Sequence, residues 1–278
     1  MAASWSLVAA CHGTIPNQVL TKPAAATAPM PPEPPNGPWP YRPSSRRQAF
    51  AVDQRAILAV RSDTITRIDT ISSHAEVAFL TASSTGGVSG SVGVFVVQGA
   101  GRGASTPAGL GLPFPFRAEY SVRRRQLDFT TPRDTAPCAS NPLAVTQSLR
   151  DMWFRPPDTL RVGTMWEDSS SYVLCRDDIP LRASVHRSFR ITGVTQHESR
   201  ALLAITRASR TTIEGSGVQF GESVGVSGNG SGDLVYSFDP VSGEVVSASG
   251  SATMDLSLRS RLRNQTVRQV GEIRIGRN

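Results

Sequence analysis

Hydrophobic and polar residues alternate along most of the chain after Arg46, which is the pattern of a β-strand with one buried face and one solvated face. The same alternation recurs at 218–226, 234–238 and 254–258. Ser, Thr and Val dominate these segments, which favours antiparallel sheet with one wet face. In the clearest example, the apolar positions are Leu181, Ala183, Val185, Phe189 and Ile191, and the polar positions between them are Arg182, Ser184, His186, Ser188 and Arg190.

Turn signals separate the alternating segments. They are Thr85-Gly86-Gly87, Gly228-Asn229-Gly230 and Asp239-Pro240-Val241-Ser242-Gly243. In the last of these, Pro presets φ and Gly accepts positive φ, so a hairpin is predicted there.

One segment changes to helical spacing. Residues 141–154 place their apolar side chains mostly three or four apart, with Asn141 as N-cap and Pro142 at the first helical position. We predict a helix of about three turns that ends before Pro156-Pro157. The aromatic pair Trp153-Phe154 and Trp166 are predicted to be core anchors.

Short sequence words recur in the same order in both halves of the chain, which is the pattern of an internal duplication. The prediction is an all-β fold of antiparallel sheets in two similar halves, arranged as a sandwich or a curved half-barrel, with one short helix between them. The paired words are Ala75–Ser83 with Ala201–Ser209, Ser91–Val94 with Ser223–Val226, and Tyr120–Val122 with Tyr236–Phe238.

Proline is concentrated near the N-terminus: ten of the 20 prolines lie between Pro16 and Pro43. Proline removes the backbone donor and fixes φ, so this segment is predicted to be an extended, disordered tether without helix or sheet. The predicted organisation is a signal or lipobox segment at 1–11, the tether at 12–45, a first β-rich half at 46–135, a connecting helix and linker at 136–160, and a second β-rich half at 161–278.

The run Leu7-Val8-Ala9-Ala10-Cys11 resembles the lipobox of bacterial lipoproteins. That resemblance implies that Cys11 is acylated, becomes the mature N-terminus and anchors the chain in a membrane. His12 stands where the family's inner-membrane retention signal usually has Asp, which favours the outer membrane. No Lys or Arg precedes Lys22, so a complete signal peptide would have to start upstream of Met1.

Two further cysteines, Cys138 and Cys175, form an even pair. In an oxidising envelope compartment such a pair is expected to form a disulfide, whereas in the cytosol the two would remain buried thiols. A spacing of 37 residues without a nearby second Cys or His does not fit a zinc site.

Basic residues outnumber acidic ones, 29 to 22, and Lys22 is the only lysine. The arginines are scattered, often at polar strand positions, and only Arg123-Arg124-Arg125 forms a run, at an expected hairpin tip. This distribution argues against a nucleic-acid partner and favours a solvated surface.

Catalytic signatures are missing from the sequence. Gly87–Ser91 and Gly225–Asn229 each lack the final Gly of a nucleophile elbow, and the four histidines match no metal motif. Glu167-Asp168 and Asp177-Asp178 are assigned to turns. No cofactor, metal site or catalytic residue is predicted.

The stretch Arg155–Trp166 is similar to a segment of uncharacterised, β-rich bacterial secreted domains, which have no assigned activity. We therefore favour a lipid-anchored extracytoplasmic protein of the outer membrane or periplasm, acting as a non-catalytic binding or structural module. Its expected partners are the membrane, through the anchor, and an apolar ligand or an envelope protein. The alternatives are a hydrolase with a site assembled from distant strands and a carrier of an apolar ligand or lipid.

Overall fold

The structure of the protein is a computed structural model. It describes residues 37–42, 47–62, 65–84, 87–100, 114–121, 125–130, 150–176, 179–197, 200–219, 221–262 and 264–277. Within these ranges, no helix is both long enough and apolar enough to span a membrane.

Nearly all of the described chain is β-strand, with one short helix, α1, at 150–152. The alternating Ser-, Thr- and Val-rich segments form long strands because each buries one face. The strands are β1 Trp39–Pro40, β2 Arg47–Ser62, β3 Thr66–Ser84, β4 Gly87–Ala100, β5 Phe114–Ser121, β6 Gln126–Thr130, β7 Thr159–Leu160, β8 Met165–Arg176, β9 Ile179–His197, β10 Arg200–Gln219, β11 Glu222–Asp239, β12 Glu244–Ser260 and β13 Asn264–Arg277.

The main sheet is continuous through both halves of the chain. Its order is β10-β11-β12-β13-β2-β3-β4-β5-β6-β8-β9, and β9 pairs with β10. All these neighbours are antiparallel except β6 and β8, which meet in the single parallel pair Gln126–Ser169. The strand order therefore returns to its start, and within the described residues one residue pair joins β6 to β8. The predicted all-β fold of antiparallel sheet with a short helix is confirmed.

Two of the three repeated words fall in corresponding consecutive strands. The first pair lies in β3 and β10, and the second in β4 and β11. The third pair does not lie in corresponding strands. Tyr120 lies in β5, whereas Tyr236 lies in β11, the same strand as the second word of that half.

The inner face of the sheet holds two apolar clusters. The larger contains Phe50, Phe189, Leu203 and Tyr236 and lies where β9, β10 and β11 approach the β9–β10 and β11–β12 turns. The smaller lies toward the opposite end of these strands; its buried members are Ile179, Leu181, Ala183, Ile213, Val224, Val226, Leu258 and Val267.

Part of the proline-rich segment is folded. Trp39–Pro40 forms β1 and pairs antiparallel with Thr159–Leu160, and the Tyr41 amide donates to the Asp158 carbonyl at 2.9 Å. Trp39 is only 3% exposed and belongs to the larger cluster. The prediction that none of 12–45 pairs as a strand is wrong here, because a two-residue edge strand tolerates proline and the burial of Trp39 stabilises it. Residues 12–36 and 43–45 lie outside the described residues.

Residues 150–160, which we call the insert, cover the inner face beside the larger cluster. The insert begins with α1, which ends at 152 instead of the predicted 154, and residues 141–149 lie outside the described residues. Met152, Phe154 and Leu160 are buried in the cluster, and Trp153 and Trp166 pack against it. The prediction that the aromatic residues are core anchors is confirmed.

One of the three predicted turns is confirmed; at another, Thr85-Gly86-Gly87, the chain changes strands as predicted, but Thr85 and Gly86 lie outside the described residues. β3 ends at Ser84 and β4 begins at Gly87, and the Asp239 carboxylate accepts from the Val241 and Ser242 amides in the β11–β12 hairpin. The third is wrong, because Gly228-Asn229-Gly230 lies in the middle of β11. Glycine is needed here because β11 and β12 approach closely. A Cβ on Gly228 would lie 2.5 Å from the Asp255 carbonyl oxygen of β12, so the glycine belongs to a continuous strand and not to a turn.

The closest such approach predicts a large effect of one methyl group. A Cβ on Gly250 in β12 would lie 1.9 Å from the Asp233 carbonyl oxygen, a backbone atom that cannot rotate away. We expect Gly250→Ala to lower the free energy of unfolding by about 2–3 kcal/mol, measured by urea unfolding. Gly276→Ala in β13 is the control, since a Cβ there meets no described atom within 4 Å. Equal stability of the two variants would contradict the close packing of β11 against β12.

Candidate functional site

An ion pair is fully buried on the inner face of the sheet. The Arg187 guanidinium of β9 donates from Nε to Asp168 Oδ1 at 2.6 Å and from Nη2 to Asp168 Oδ2 at 2.8 Å. The Asp168 side chain of β8 is 0% exposed and that of Arg187 is 3% exposed. Arg187 Nη1 also donates to the Arg150 carbonyl at 2.9 Å, which ties the pair to the first residue of the insert.

The next residue of the insert, Asp151, is held by two other strands. Arg207 Nη1 of β10 donates to Asp151 Oδ1 at 2.7 Å, and the Tyr236 hydroxyl of β11 donates to the Asp151 carbonyl at 2.7 Å. Burial, the largest single effect, disfavours the charged form of Arg207, but Asp151, Tyr236 and Asp168 together outweigh it and raise the pKa of Arg207 above its ordinary value. The guanidinium of Arg150 lies 4.0 Å from the ring centroid of Tyr172.

These buried charges fix the insert against the sheet. Hydrogen bonds from β9, β10 and β11 converge on Arg150 and Asp151, and the apolar side chains that follow complete the larger cluster. An apolar ligand under the insert would have to displace side chains of the chain itself. The geometry is that of a structural clamp.

Two of the sequence assignments are wrong for this cluster. Asp168, assigned to a turn, lies within β8, and Arg187 and Arg207 are buried although the arginines were assigned to the solvated surface. The alternation itself contains this information, because Arg187 stands between Val185 and Phe189 at a position that the period of two assigns to the inner face of β9. A charge at such a position requires a buried partner, and Asp168 supplies it.

The buried Tyr236 predicts a loss of stability in alkali. Burial raises its pKa to about 12 from the ordinary value of 10, so the unfolded chain releases this proton first. The contribution of Tyr236 is fully present below pH 10 and is lost as the pH rises from 10 to 12, by roughly 2–3 kcal/mol. Urea unfolding across this range should show a steeper decline for the natural chain than for Tyr236→Phe; parallel declines would contradict the prediction.

The outward face of the sheet carries a row of polar side chains that crosses six strands. Neighbouring strands in a sheet are about 4.8 Å apart, so these side chains form one continuous band. In order across β9, β10, β11, β12, β13 and β2, the band contains Arg182, Glu214, Ser227, Ser257, Thr266 and Arg61.

Three adjoining grooves lie along this band. A central groove of about 630 Å³ includes Thr212, Asn229, Asp255 and Arg268. A side groove of about 660 Å³ includes Val173, Arg182 and Ser216. A tip groove of about 450 Å³ lies at the end of β2, β12 and β13; its lining residues are Arg61, Ser62, Ser257, Arg259, Asn264, Gln265 and Thr266.

Charge is unevenly distributed among the grooves. Glu214 lines both the central and the side groove, and Asp255 lies 3.9 Å from Arg268 in the central one. The described lining of the tip groove contains two arginines and no acidic residue. The tip groove is therefore the most suitable of the three for an anionic group.

Of the three cysteines predicted as site residues, one lies within the described residues. Cys11 and Cys138 lie outside the described residues, and Cys175 lies in β8, where its backbone alone is described. No disulfide lies within the described ranges, and the Cys138–Cys175 bridge stays a prediction. In the part of the chain that the structure describes, no three His, Cys, Asp or Glu side chains are grouped as metal ligands, and His74 Nδ1 lies 2.7 Å from Asp53 Oδ1 at the surface.

Comparison with known proteins identifies no family. No family model matches the sequence, and no curated protein matches it. Among solved structures, an outer membrane channel from Pseudomonas putida F1 aligns over 87% of this chain and 98% of its own, with 7% sequence identity and a TM-score of 0.23. A likeness at this level carries no argument about the fold or function of this chain.

Proposed function

We propose that the chain is a lipid-anchored, extracytoplasmic binding or structural module of the bacterial cell envelope, with its contact surface on the grooved outward face. The observation that carries the binding role is the band of exposed polar and arginine side chains across six strands, with three grooves along it. The buried charges, in contrast, are engaged in holding the insert.

The lipobox-like run before Cys11 supports the anchored location. Between Cys11 and Trp39 lie 27 residues, rich in proline, that precede the first strand. An extended chain of that length reaches about 80 Å at 3.1 Å per residue, so the folded body has room to contact an envelope partner or the membrane surface.

Mass spectrometry of the mature chain from its native host tests the anchor. We expect an N-terminus at Cys11 whose mass exceeds that of the polypeptide by the mass of diacylglycerol plus an acyl chain. A mature chain that retains residues before Cys11, or one with an unmodified Cys11, would overturn the proposal. Cys11→Ala is the control and should yield no acylated species.

A further inference from the structure

Three hairpin tips meet at one end of the sheet. They connect β10 to β11, β12 to β13 and β2 to β3, and the strands that they join are neighbours in the sheet. The pairs Val224–Ser260 and Gln265–Ser62 place the tips at the same level. Ser260 Oγ donates to Glu222 Oε2 at 2.9 Å, which links two of the tips directly.

Each of these tips exposes an aliphatic side chain. Leu262 is 80% exposed, Val218 is 70% exposed and Ile65 is 63% exposed. The turns are locally ordered, because the Ser62 amide donates to the Ile65 carbonyl at 2.8 Å and the Leu262 amide donates to Ser260 Oγ at 3.3 Å. Ile65 and Leu262 therefore lie in hydrogen-bonded turns at the end of the sheet, and Val218 lies in β10 beside the same end.

Arginines surround the aliphatic tips. Arg61 and Arg259 line the tip groove and precede Ile65 and Leu262 by four and three residues in the chain, and exposed Arg261 lies in the β12–β13 turn. Four charged turn residues at this end lie outside the described residues: Asp63 and Arg263, whose formal charges cancel, and the acidic pair Asp177-Asp178 of the β8–β9 turn. That acidic pair lies beyond β10, on the side of the sheet order away from the tip groove of β12, β13 and β2. Aliphatic side chains at the extreme end with cations one step behind them match the layers of a membrane surface, where acyl chains lie beyond anionic phosphates.

We infer that this end of the sheet docks on an anionic lipid surface. Leu262, Ile65 and Val218 enter the boundary between headgroups and acyl chains, and the tip groove receives a lipid phosphate between Arg61 and Arg259. The inference deepens the proposed function, on which it rests for the compartment, by adding a second membrane contact that does not involve Cys11. An acidic glycan is the less favoured occupant, because it would not require aliphatic side chains beyond the arginines.

Vesicle co-sedimentation of the full chain carrying Cys11→Ser tests this contact without the anchor. We expect binding to vesicles of phosphatidylcholine mixed with phosphatidylglycerol and at least about tenfold weaker binding to phosphatidylcholine alone. Arg61→Gln with Arg259→Gln should reduce the partition coefficient by about 25-fold, at roughly fivefold for each arginine. Leu262→Ser with Ile65→Ser should reduce it by about tenfold.

Matched variants away from the tips control for charge and hydrophobicity. Arg190→Gln with Arg210→Gln removes two exposed charges from the middle of the outward face, and Val241→Ser changes an aliphatic residue at the opposite end of β11. Both should bind like the parent.

No binding to anionic vesicles, or equal losses in tip and control variants, would overturn the inference. Binding to soluble polygalacturonate without binding to vesicles would assign the groove to an acidic glycan and would also overturn it. Neither result alters the mass expected at Cys11, so failure of this contact is distinguishable from failure of the anchor.

Discussion

Asp168→Asn should lower the free energy of unfolding by about 3–5 kcal/mol, because it leaves the Arg187 guanidinium buried without a charged partner. The two side chains are 0% and 3% exposed, so water cannot replace the lost carboxylate. Arg187 also fixes the Arg150 carbonyl, so the insert should loosen with the pair. Urea unfolding monitored by tryptophan fluorescence measures both effects, since Trp166 and Trp153 pack against the same cluster.

Two comparisons distinguish a buried ion pair from a merely close one. The double variant Asp168→Leu with Arg187→Met should recover most of the stability, because it removes both charges from the interior. Asp158→Asn breaks the exposed pair of Arg155 and Asp158, whose N–O distance is also 2.6 Å, and should cost at most about 1 kcal/mol. A loss for Asp168→Asn no larger than that for Asp158→Asn would contradict the burial of the clamp.

Trp39→Ala should also destabilise the chain by about 3–5 kcal/mol, the usual cost of removing a buried tryptophan side chain. Trp39 lies in the larger cluster and is held there by the β1–β7 pairs. The effect should appear as a lower midpoint of urea unfolding. Met165→Ala, at a side chain that is 68% exposed, should change the stability by no more than about 0.5 kcal/mol.

The contribution of Trp39 can also be tested with two shortened chains that begin on either side of it. A chain beginning at Arg46 lacks β1 and should be about as unstable as Trp39→Ala, whereas a chain beginning at Glu33 should keep the full stability. Equal stability of the two shortened chains would show that Trp39 does not belong to the core.

Alternation and composition predicted the fold class because the sheet buries a single face. Leu181, Ala183, Phe189 and Ile191 all lie inside, in the positions that their period of two requires. Strand order could not be predicted from the pattern, since the pairing of β13 with β2 joins distant parts of the chain and depends on tertiary packing. Glycine was ambiguous for a similar reason: the sequence Gly228-Asn229-Gly230 suits a turn, and only the neighbouring strand shows why the glycines are needed within β11.

The polar features were harder to predict than the core. The alternation places Arg187 on the buried face of its strand. Its partner Asp168, however, is 19 residues away in the sequence, and no local pattern connects the two residues. The grooves have no local signature either, since residues from seven strands, β2 and β8 to β13, meet only through the register of the sheet. The prediction for the proline-rich segment failed at 39–41 because proline composition describes an average over the segment. Trp39 is an individual aromatic residue that is buried in the larger cluster, and Tyr41 packs against that cluster.

Fractionation of the native host tests the central claim that Cys11 holds this module at a membrane. In high salt, which screens the contact of arginines with lipid phosphates, the natural chain should stay in the membrane fraction and Cys11→Ala should be released in soluble form. A natural chain released by salt, or a Cys11→Ala chain retained as firmly as the natural one, would contradict the claim.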